Sequence, residues 1–435
     1  MMTDRVSAYL AKRADLAERP LVSGALEGVD QAVVIPVLAE KGYLRHTLES
    51  LAANPAPDLE RTIVICVVNN RTDAGAAQVA ENLDTLTTLD ALVRSNERAP
   101  LRLAYVDAAS AGHELSAKEG VGLARKIGMD WALHVLDGSP KRLRIILSLD
   151  ADTRVKPNYL AAVRNHFETH DAWAAVVDYA HPLDGPPDHA AAIVCYELYL
   201  RYHELALRYA GSPYAYAAIG STMVCRDEAY AAVGGMNRRQ GGEDFYFLQQ
   251  LAKTGGVTRI RNTTVCPSGR PSERAPLGTG QRVLRYLSGT QDEYQLYNPE
   301  CYRILKSWLA LACERWDSHA KDLLAEAGEV NEELRRFLRD NQFVEVWERL
   351  RKHSKTAEQM RQQFHGWFDG FRTLKMIHHL RDNGYPQQEM FSAIATVLGW
   401  LGGSVDGIAW DELRHNTAEQ RRLLECLRTT CASPT

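Results

Sequence analysis

Apolar runs and amphipathic stretches alternate along most of this chain. AVVIPVL (32–38) and TIVICVVNN (62–70) are short, rich in β-branched residues and without in–out alternation. Such runs suit strands buried on both faces of a parallel sheet. LRLAYVDA (101–108) and IILSLDADTRV (145–155) continue the series as a third and a fourth strand. The stretches between strands have helical spacing. KGYLRHTLESLAAN sets Leu44, Leu48 and Leu51 on one face, and KEGVGLARKIGMDWALHVL sets Val121, Ala124, Ile127, Gly128 and Trp131 on one side. Further along, WAAVVDYA, AIGSTMVCR and VTRIRNTTVCP read as strands, Ala190–Tyr209 as a tyrosine-rich helix, and GGEDFYFLQQLAKTG as the opening of another. This alternation predicts a doubly wound α/β domain, in which ligands bind beyond the carboxyl ends of the strands. The segments that follow strand ends are therefore the candidates for chemistry: Pro36 to Glu40, Asn69 to Asp73, and Asp150 to Asp152. Residues 1–30 read as a helical lead-in, 31–295 as the α/β domain, and 296–435 as a C-terminal helical domain in which Leu, Trp and Phe recur among charges.

Composition narrows the class. The 435 residues are 45% hydrophobic and 24% charged, an ordinary globular profile, and the net charge of -4 gives no general attraction to nucleic acid or an anionic membrane. No apolar run approaches the ~18 residues of a membrane span, and the charged N-terminus lacks the apolar core of a signal peptide. The expectation is a cytoplasmic protein with no transmembrane segment and no nucleic-acid partner. The eight cysteines form no CxxC pair. Cys66, Cys195 and Cys225 sit in apolar runs that suit reduced, buried thiols, so neither zinc nor a disulfide framework is expected.

LSLDADTRV carries the sharpest chemical signal. Strand alternation puts Asp150 and Asp152 on one face, where both can reach one divalent cation. Mg²⁺ or Mn²⁺ suits all-oxygen ligands of this kind and also takes diphosphate oxygens. The bland alternative is a surface turn capped by aspartate. PSGRPSERAPLGTGQR (267–282) combines Arg270, Arg274 and Arg282 with glycines and hydroxyls. Such a loop can surround anionic phosphate with backbone N–H groups and guanidinium forks.

From Ala32 to Val283 these segments together resemble the inverting family 2 glycosyltransferases of the GT-A fold. The resemblance rests on Pro36 and Glu40 after the first strand, VVNNRTD after the second, AKEGVGLARKIGMDWA, the D-x-D strand, MVCRDEAYAAVGGMN and GGEDFYFLQQL. It implies a GT-A mixed sheet with a helical extension. It also implies a nucleotide-sugar donor cradled by Pro36, Val37, Glu40, Asn69, Asn70, Asp73 and Asp150, with Lys118 and Arg125 as cations near the diphosphate. Asn69 and Asn70 stand where the family uses carboxylates to hold the base, which leaves the base open. The resemblance points to Asp244 as the general base for the acceptor hydroxyl, with Glu243 beside it; both would also suit the first turn of a helix, where the dipole favours negative charge. Arg270 and Arg274 would neutralise the departing diphosphate. Many relatives place a metal-binding histidine near this loop, but none occurs between Arg259 and Arg285, so the metal falls to Asp150 and Asp152.

Tyr196, Tyr199, Tyr202, Tyr209, Tyr214 and Tyr216 are candidates for an acceptor surface, against the alternative of core packing. The acceptor itself is a carbohydrate or a small molecule bearing a hydroxyl. The helical tail has no catalytic constellation and offers a dimer or acceptor surface besides its core. Two rivals stand beside the transferase reading. A sugar-phosphate nucleotidyltransferase would carry a Gly- and Arg-rich loop after the first strand, where this chain has IPVLAEKGYLR. A non-catalytic nucleotide-sugar-binding relative would have little need of Asp150, Asp152 and Asp244.

Overall fold

A computed structural model describes residues 3–14, 16–95, 101–138, 143–273, 278–403 and 407–432. The chain divides into two compact units, Met1–Asp184 with Ala218–Gln281, and Gly185–Ala217 with Arg282–Thr435. The first unit is mixed α/β. Its strands are β1 (Leu21–Ser23), β2 (Gln31–Val37), β3 (Thr62–Asn69), β4 (Arg102–Ala108), β5 (Ile145–Ser148), β6 (Arg154–Val155), β7 (Ala174–Tyr179), β8 (Met223–Arg226) and β9 (Val257–Cys266). Its helices are α1 (Thr3–Arg13), α2 (Lys41–Ala52), α3 (Ala56–Leu59), α4 (Ala76–Arg94), α5 (Val121–Asp137) and α6 (Tyr159–Thr169). The chain then contributes α7 (Pro187–Tyr209) to the second unit and returns with α8 (Asp227–Ala232) and α9 (Glu243–Gly255).

Among the described residues the strands form one sheet in the order β1-β4-β3-β2-β5-β8-β7-β9-β6. β4, β3, β2 and β5 run parallel. β8 is antiparallel to both β5 and β7, and β7 runs parallel to β9. The edges β1 and β6 are antiparallel to their neighbours. Every residue of β2 and β3 is buried, which explains why their sequences show no polar face. α5 approaches this centre closely because residue 128 has no side chain: a Cβ there would press on Val34 and lie 2.9 Å from Val67 Cγ2. From β2 the chain moves to β3 on one side, and from β4 it crosses to β5 on the other. The order therefore reverses between β2 and β5, and the crevice beyond their carboxyl ends is where such sheets bind ligands.

Among its described residues the regular structure of the second unit is helical apart from the short pair β10 (Gln295–Leu296) and β11 (Gln388–Glu389). After α10 (Thr279–Ser288), which begins in the first unit, come α11 (Pro299–Glu314), α12 (Ala320–Val330), α13 (Glu332–Asp340), α14 (Phe343–His353), α15 (Ala357–Trp367), α16 (Gly370–Asp382), α17 (Met390–Trp400) and α18 (Thr417–Ala432). Trp308 is fully buried, with the rings of Phe343, Phe364 and Phe368 set edge-on at 5.4, 5.8 and 6.0 Å. Asn298, Asn331, Thr356 and Asp369 cap α11, α13, α15 and α16 by accepting from backbone N–H groups.

Three features differ from the sequence reading. The lead-in is not wholly helical, because Leu21–Ser23 pair with Ala104–Val106 and extend the sheet. The helical unit starts at Arg282 rather than 296, and it includes residues 185–217. Arg428 of α18 donates twice, at 2.8 Å, to the fully buried Glu197 of α7, so the middle helix is tied to the last one. Helical periodicity shows that α7 buries a face but not against which segment. Cys66, Cys195 and Cys225 are buried thiols, and burial pushes Cys66 up to about 12. No helix among the described residues is long and apolar enough to cross a membrane.

The close α5–sheet contact yields a stability prediction. Gly128→Ala overpacks the site against Val34 and Val67 and is expected to cost about 1–3 kcal/mol. An unchanged urea midpoint would show that α5 can lift off the sheet freely.

Candidate active site

The acid pair lies in a turn that leaves β5. Leu149 N still donates to Val34 O at 3.0 Å, and Thr153 N then donates to Asp150 O at 3.1 Å and closes the turn. α2 holds the turn from one side: Thr47 Oγ1 donates to Ala151 O at 2.8 Å, and Ser50 Oγ accepts from Val155 N at 3.1 Å. On the other side the Ser221 hydroxyl donates to the Asp150 carboxylate and lies 2.9 Å from Thr153 Oγ1. Ser221 and Thr153 are fully buried, whereas the Asp150 and Asp152 side chains keep 32% and 21% of their exposure. The turn is thus hydrogen-bonded on its buried side, while its two carboxylates stay part-exposed.

Arg125 links this turn to the second acid pair. Arg125 is buried, at 3% exposure. Nε donates to Ser148 Oγ at 3.1 Å, Nη1 pairs with Glu243, and Nη2 pairs with Asp150. Gly220 makes room for it, because a Cβ at that position would collide with the guanidinium. The resemblance implied a cation near the diphosphate for Arg125; in the structure its three nitrogens are engaged by Ser148, Glu243 and Asp150.

Glu243 and Asp244 open α9 after Gly242, whose φ of +69° is a left-handed conformation that favours glycine. Asn237 Nδ2 donates to Glu243 O at 2.8 Å and fixes the entry. The two acids then diverge. Glu243 is 4% exposed and paired with Arg125, so it positions that guanidinium and does not stand open to a substrate. Asp244 is half-buried, and its Oδ1 accepts from Phe245 N at 2.7 Å. Burial, with the Glu243 charge next, pushes its carboxyl up to about 7 against the opposing pull of Arg125.

Arg270 closes the other end. From the loop after β9 its Nε and Nη2 donate to Asp152 Oδ2 at 3.1 and 3.0 Å, Nη2 also pairs with Glu40, and the guanidinium lies 4.0 Å over the Tyr43 ring. Among the described residues of this network, five carboxylates (Glu40, Asp150, Asp152, Glu243, Asp244) meet two guanidiniums (Arg125, Arg270).

The remaining candidates are scattered in role. Pro36 and Val37 are buried at the end of β2, beside Val67 and Val68. Asn69 is 3% exposed, and its Oδ1 is buried without a hydrogen-bond partner. Asn70 is corrected to a loop anchor: its Oδ1 accepts from Asn82 Nδ2 at 2.7 Å and its Nδ2 donates to Ala109 O at 3.1 Å. Asp73 is exposed and paired with Arg71 at 2.9 Å. Lys118 is exposed in the loop before α5, and Arg274 lies outside the described residues. Gly122 packs against the loop that leads to α9 rather than against the sheet, its Cβ position lying 2.8 Å from Asn237 O. Tyr202 and Tyr214 are core residues of the helical unit, and Tyr209 stacks on Trp400 at 4.6 Å. Tyr196 and Tyr199 are half-buried and stacked at 6.4 Å. Ser221, Gly220 and Thr47 are short polar residues or glycine and carry no periodic signal, and Tyr43 gains its part only from its contact with Arg270, more than two hundred positions away. A cavity of 510 Å³ between α2 and α4, lined by Leu44, Leu48, Leu89, Leu92 and Leu103, includes none of the acid network.

Comparison with known proteins bears on this geometry. The model of glycosyl transferase family group 2 matches residues 145–402, more than half of the chain, from the first residue of β5 onwards. None of the curated proteins matches. Among solved structures, S. aureus TarS aligns with 12% identity and a TM-score of 0.37 over 60% of this chain, which spans 43% of the TarS chain. S. aureus TarS 1–349 in complex with UDP-GlcNAc aligns with 13% identity and a TM-score of 0.38, over 92% of this chain and 90% of that one. The mannosyltransferase PcManGT from Pyrobaculum calidifontis, in complex with GDP-Man and Mn²⁺, aligns with 13% identity and a TM-score of 0.36, over 99% and 92%. Likeness at such scores carries no argument about donor, metal or acceptor.

The Arg125 network yields its own test. Arg125→Met strands the Glu243 carboxylate in a buried place, at an expected cost of about 3–5 kcal/mol. Adding Glu243→Gln is expected to return at least ~1 kcal/mol of that loss, because the stranded charge is gone. Strictly additive losses in urea unfolding would mean that the two groups do not depend on each other.

Proposed function

The chain belongs to glycosyl transferase family group 2, and on that premise we propose that it moves a sugar from a nucleoside-diphosphate sugar to an acceptor hydroxyl with inversion at the anomeric carbon. The observation that carries this reading is the arrangement of the D-x-D turn and Asp244 around one guanidinium, at the point where the strand order reverses. Pro36 and Val37 would shape the floor of the nucleotide cleft, Glu40 would accept from a ribose hydroxyl, and Asn69 would meet the base. UDP-sugars are the first donors to examine.

A divalent cation fits the residues present. Asp150 and Asp152 share the turn that leaves β5 and keep 32% and 21% of their side chains exposed, so their oxygens are within reach of an ion, and an incoming diphosphate would add negative charge there. Among the described residues no three His, Cys, Asp or Glu side chains form a metal cluster, so Asp150 and Asp152 would share the ion with phosphate oxygens. That division suits Mg²⁺ or Mn²⁺, which are commonly held by one or two carboxylates and the substrate's phosphates. Bound there, the cation would neutralise charge on the diphosphate.

The remaining chemistry falls to side chains. Asp244 accepts the proton of the acceptor hydroxyl as that oxygen bonds to the anomeric carbon, and the diphosphate departs with the electrons of the broken C–O bond. Asp244 then returns the proton to solvent. A carboxylate pushed up to about 7 is a stronger base than a surface aspartate, at the price of being protonated in mild acid. Arg270 would pair with the developing charge on the leaving group.

Five outcomes test this reading. Asp152→Asn is expected to abolish the Mn²⁺-dependent thermal shift given by a nucleotide-sugar, and an unchanged shift overturns the metal assignment. Asp244→Asn is expected to keep that shift and lose transfer by about 10²–10⁴-fold; retained transfer removes Asp244 as base. Because only the ionised form works, kcat/KM should rise with pH through about 7 and level off above it. Glu243→Gln removes a charge that raises the Asp244 carboxyl and should move this rise to lower pH. Pyrophosphate release from a nucleoside triphosphate and a sugar phosphate would instead favour a nucleotidyltransferase.

A further inference from the structure

Arg270 sits where the proposed donor site should be open. It joins three groups from two other elements: Asp152 of the D-x-D turn, and Glu40 and Tyr43 at the start of α2. Its own segment, Pro267–Glu273, has no regular secondary structure. The pairs are only partly shielded, with 22% of the Arg270 side chain, 21% of Asp152 and 11% of Glu40 exposed. In the ligand-free site Asp152 and Glu40 are thus bridged by a cation carried on a loop.

That arrangement conflicts with donor binding. A divalent cation sharing Asp152 with a diphosphate competes with the guanidinium for the same carboxylate. A diphosphate arriving while Arg270 remains paired meets two carboxylates whose counter-charge is already engaged. Both conflicts end if the partners change. The cation takes Asp152, and the planar fork of Arg270, which matches phosphate oxygens as well as it matches a carboxylate, turns to the diphosphate. Leaving Asp152 and Tyr43 costs the same whether the metal or the phosphate arrives first, so the ligand that comes second meets a smaller cost. Metal and diphosphate then bind cooperatively, and the coupling is reciprocal.

We propose that Arg270 is a positioning residue that changes partners, holding Asp152 and Glu40 in the ligand-free protein and the donor diphosphate once a divalent cation occupies Asp152. This rests on the metal-dependent transferase reading above and adds to it the residue that couples the two ligands. Arg270 thereby opposes metal binding by the empty protein and favours diphosphate binding by the metal-loaded one. A residue that merely braced the loop would change both affinities in the same direction.

The test is binding of Mn²⁺ alone, and of inorganic pyrophosphate in saturating Mn²⁺, by calorimetry on the full chain. Arg270→Gln is expected to bind Mn²⁺ alone about tenfold more tightly than the parent and pyrophosphate about tenfold more weakly, within the usual range of such couplings. Tyr43→Leu removes the ring under the guanidinium and leaves every carboxylate in place. It should tighten Mn²⁺ severalfold without weakening pyrophosphate, and Tyr43 is exposed enough (43%) that folding should tolerate the change. Equal or weaker Mn²⁺ binding by both variants overturns the exchange and leaves the metal-dependent reading intact. No Mn²⁺ binding by parent or variants, with or without pyrophosphate, sinks the metal assignment and the exchange together.

Discussion

The candidate site is organised around one buried guanidinium. Arg125 reaches from the first turns of α5 to Ser148 on β5, Asp150 in the D-x-D turn and Glu243 at the start of α9. Burying a charge of this kind is costly unless it is paired and hydrogen-bonded. Each of its partners is therefore constrained as strictly as the arginine itself. Gly220 has no side chain because the guanidinium fills that space, and Ser221 beside it fixes the other face of Asp150. One residue thus sets the distance between the acids that would hold the donor and the acid that would act on the acceptor.

A second consequence is electrostatic. Arg125 pairs with Glu243 and Asp150, and Arg270 pairs with Asp152 and Glu40. Asp244 is left beside Glu243 in a poorly solvated corner, which raises its carboxyl far above the ordinary range for aspartate. Placing two acids in adjacent positions and giving a buried arginine to only one of them separates their roles. Glu243 holds the framework, and Asp244 keeps basicity for a substrate. The same division appears in the D-x-D turn, where Asp150 is pinned by buried partners and Asp152 by a cation on a loop.

Much of the fold was legible in the sequence. Buried parallel strands must be apolar throughout, and β2 and β3 are; the helix before the acid pair must be amphipathic and must carry a small residue where it meets the sheet, and Gly128 is there. The strand ends that carry Glu40, Asn69, Asp150 and Asp152 were visible because polar residues abruptly follow apolar runs. These features depend on local periodicity and on the chemistry of single residues, which the order of amino acids states directly.

Side-chain partnership is not stated there. Lys118 and Arg125 look alike on paper as basic residues before and within one helix, yet one is exposed and the other is 3% accessible. Asn69 and Asn70 are adjacent and identical in type, yet Asn70 is consumed by Asn82 and Ala109 while Asn69 keeps an unmatched acceptor. Residues 185–217 read as one more helix of the α/β domain until Glu197 is found against Arg428. The sequence by itself determined the strand and helix pattern, the family resemblance and the identity of the acids at the strand ends. Only the tertiary structure decided which cation faces which acid, because that depends on contacts between segments more than a hundred positions apart, such as Arg125 with Glu243 and Arg270 with Asp152.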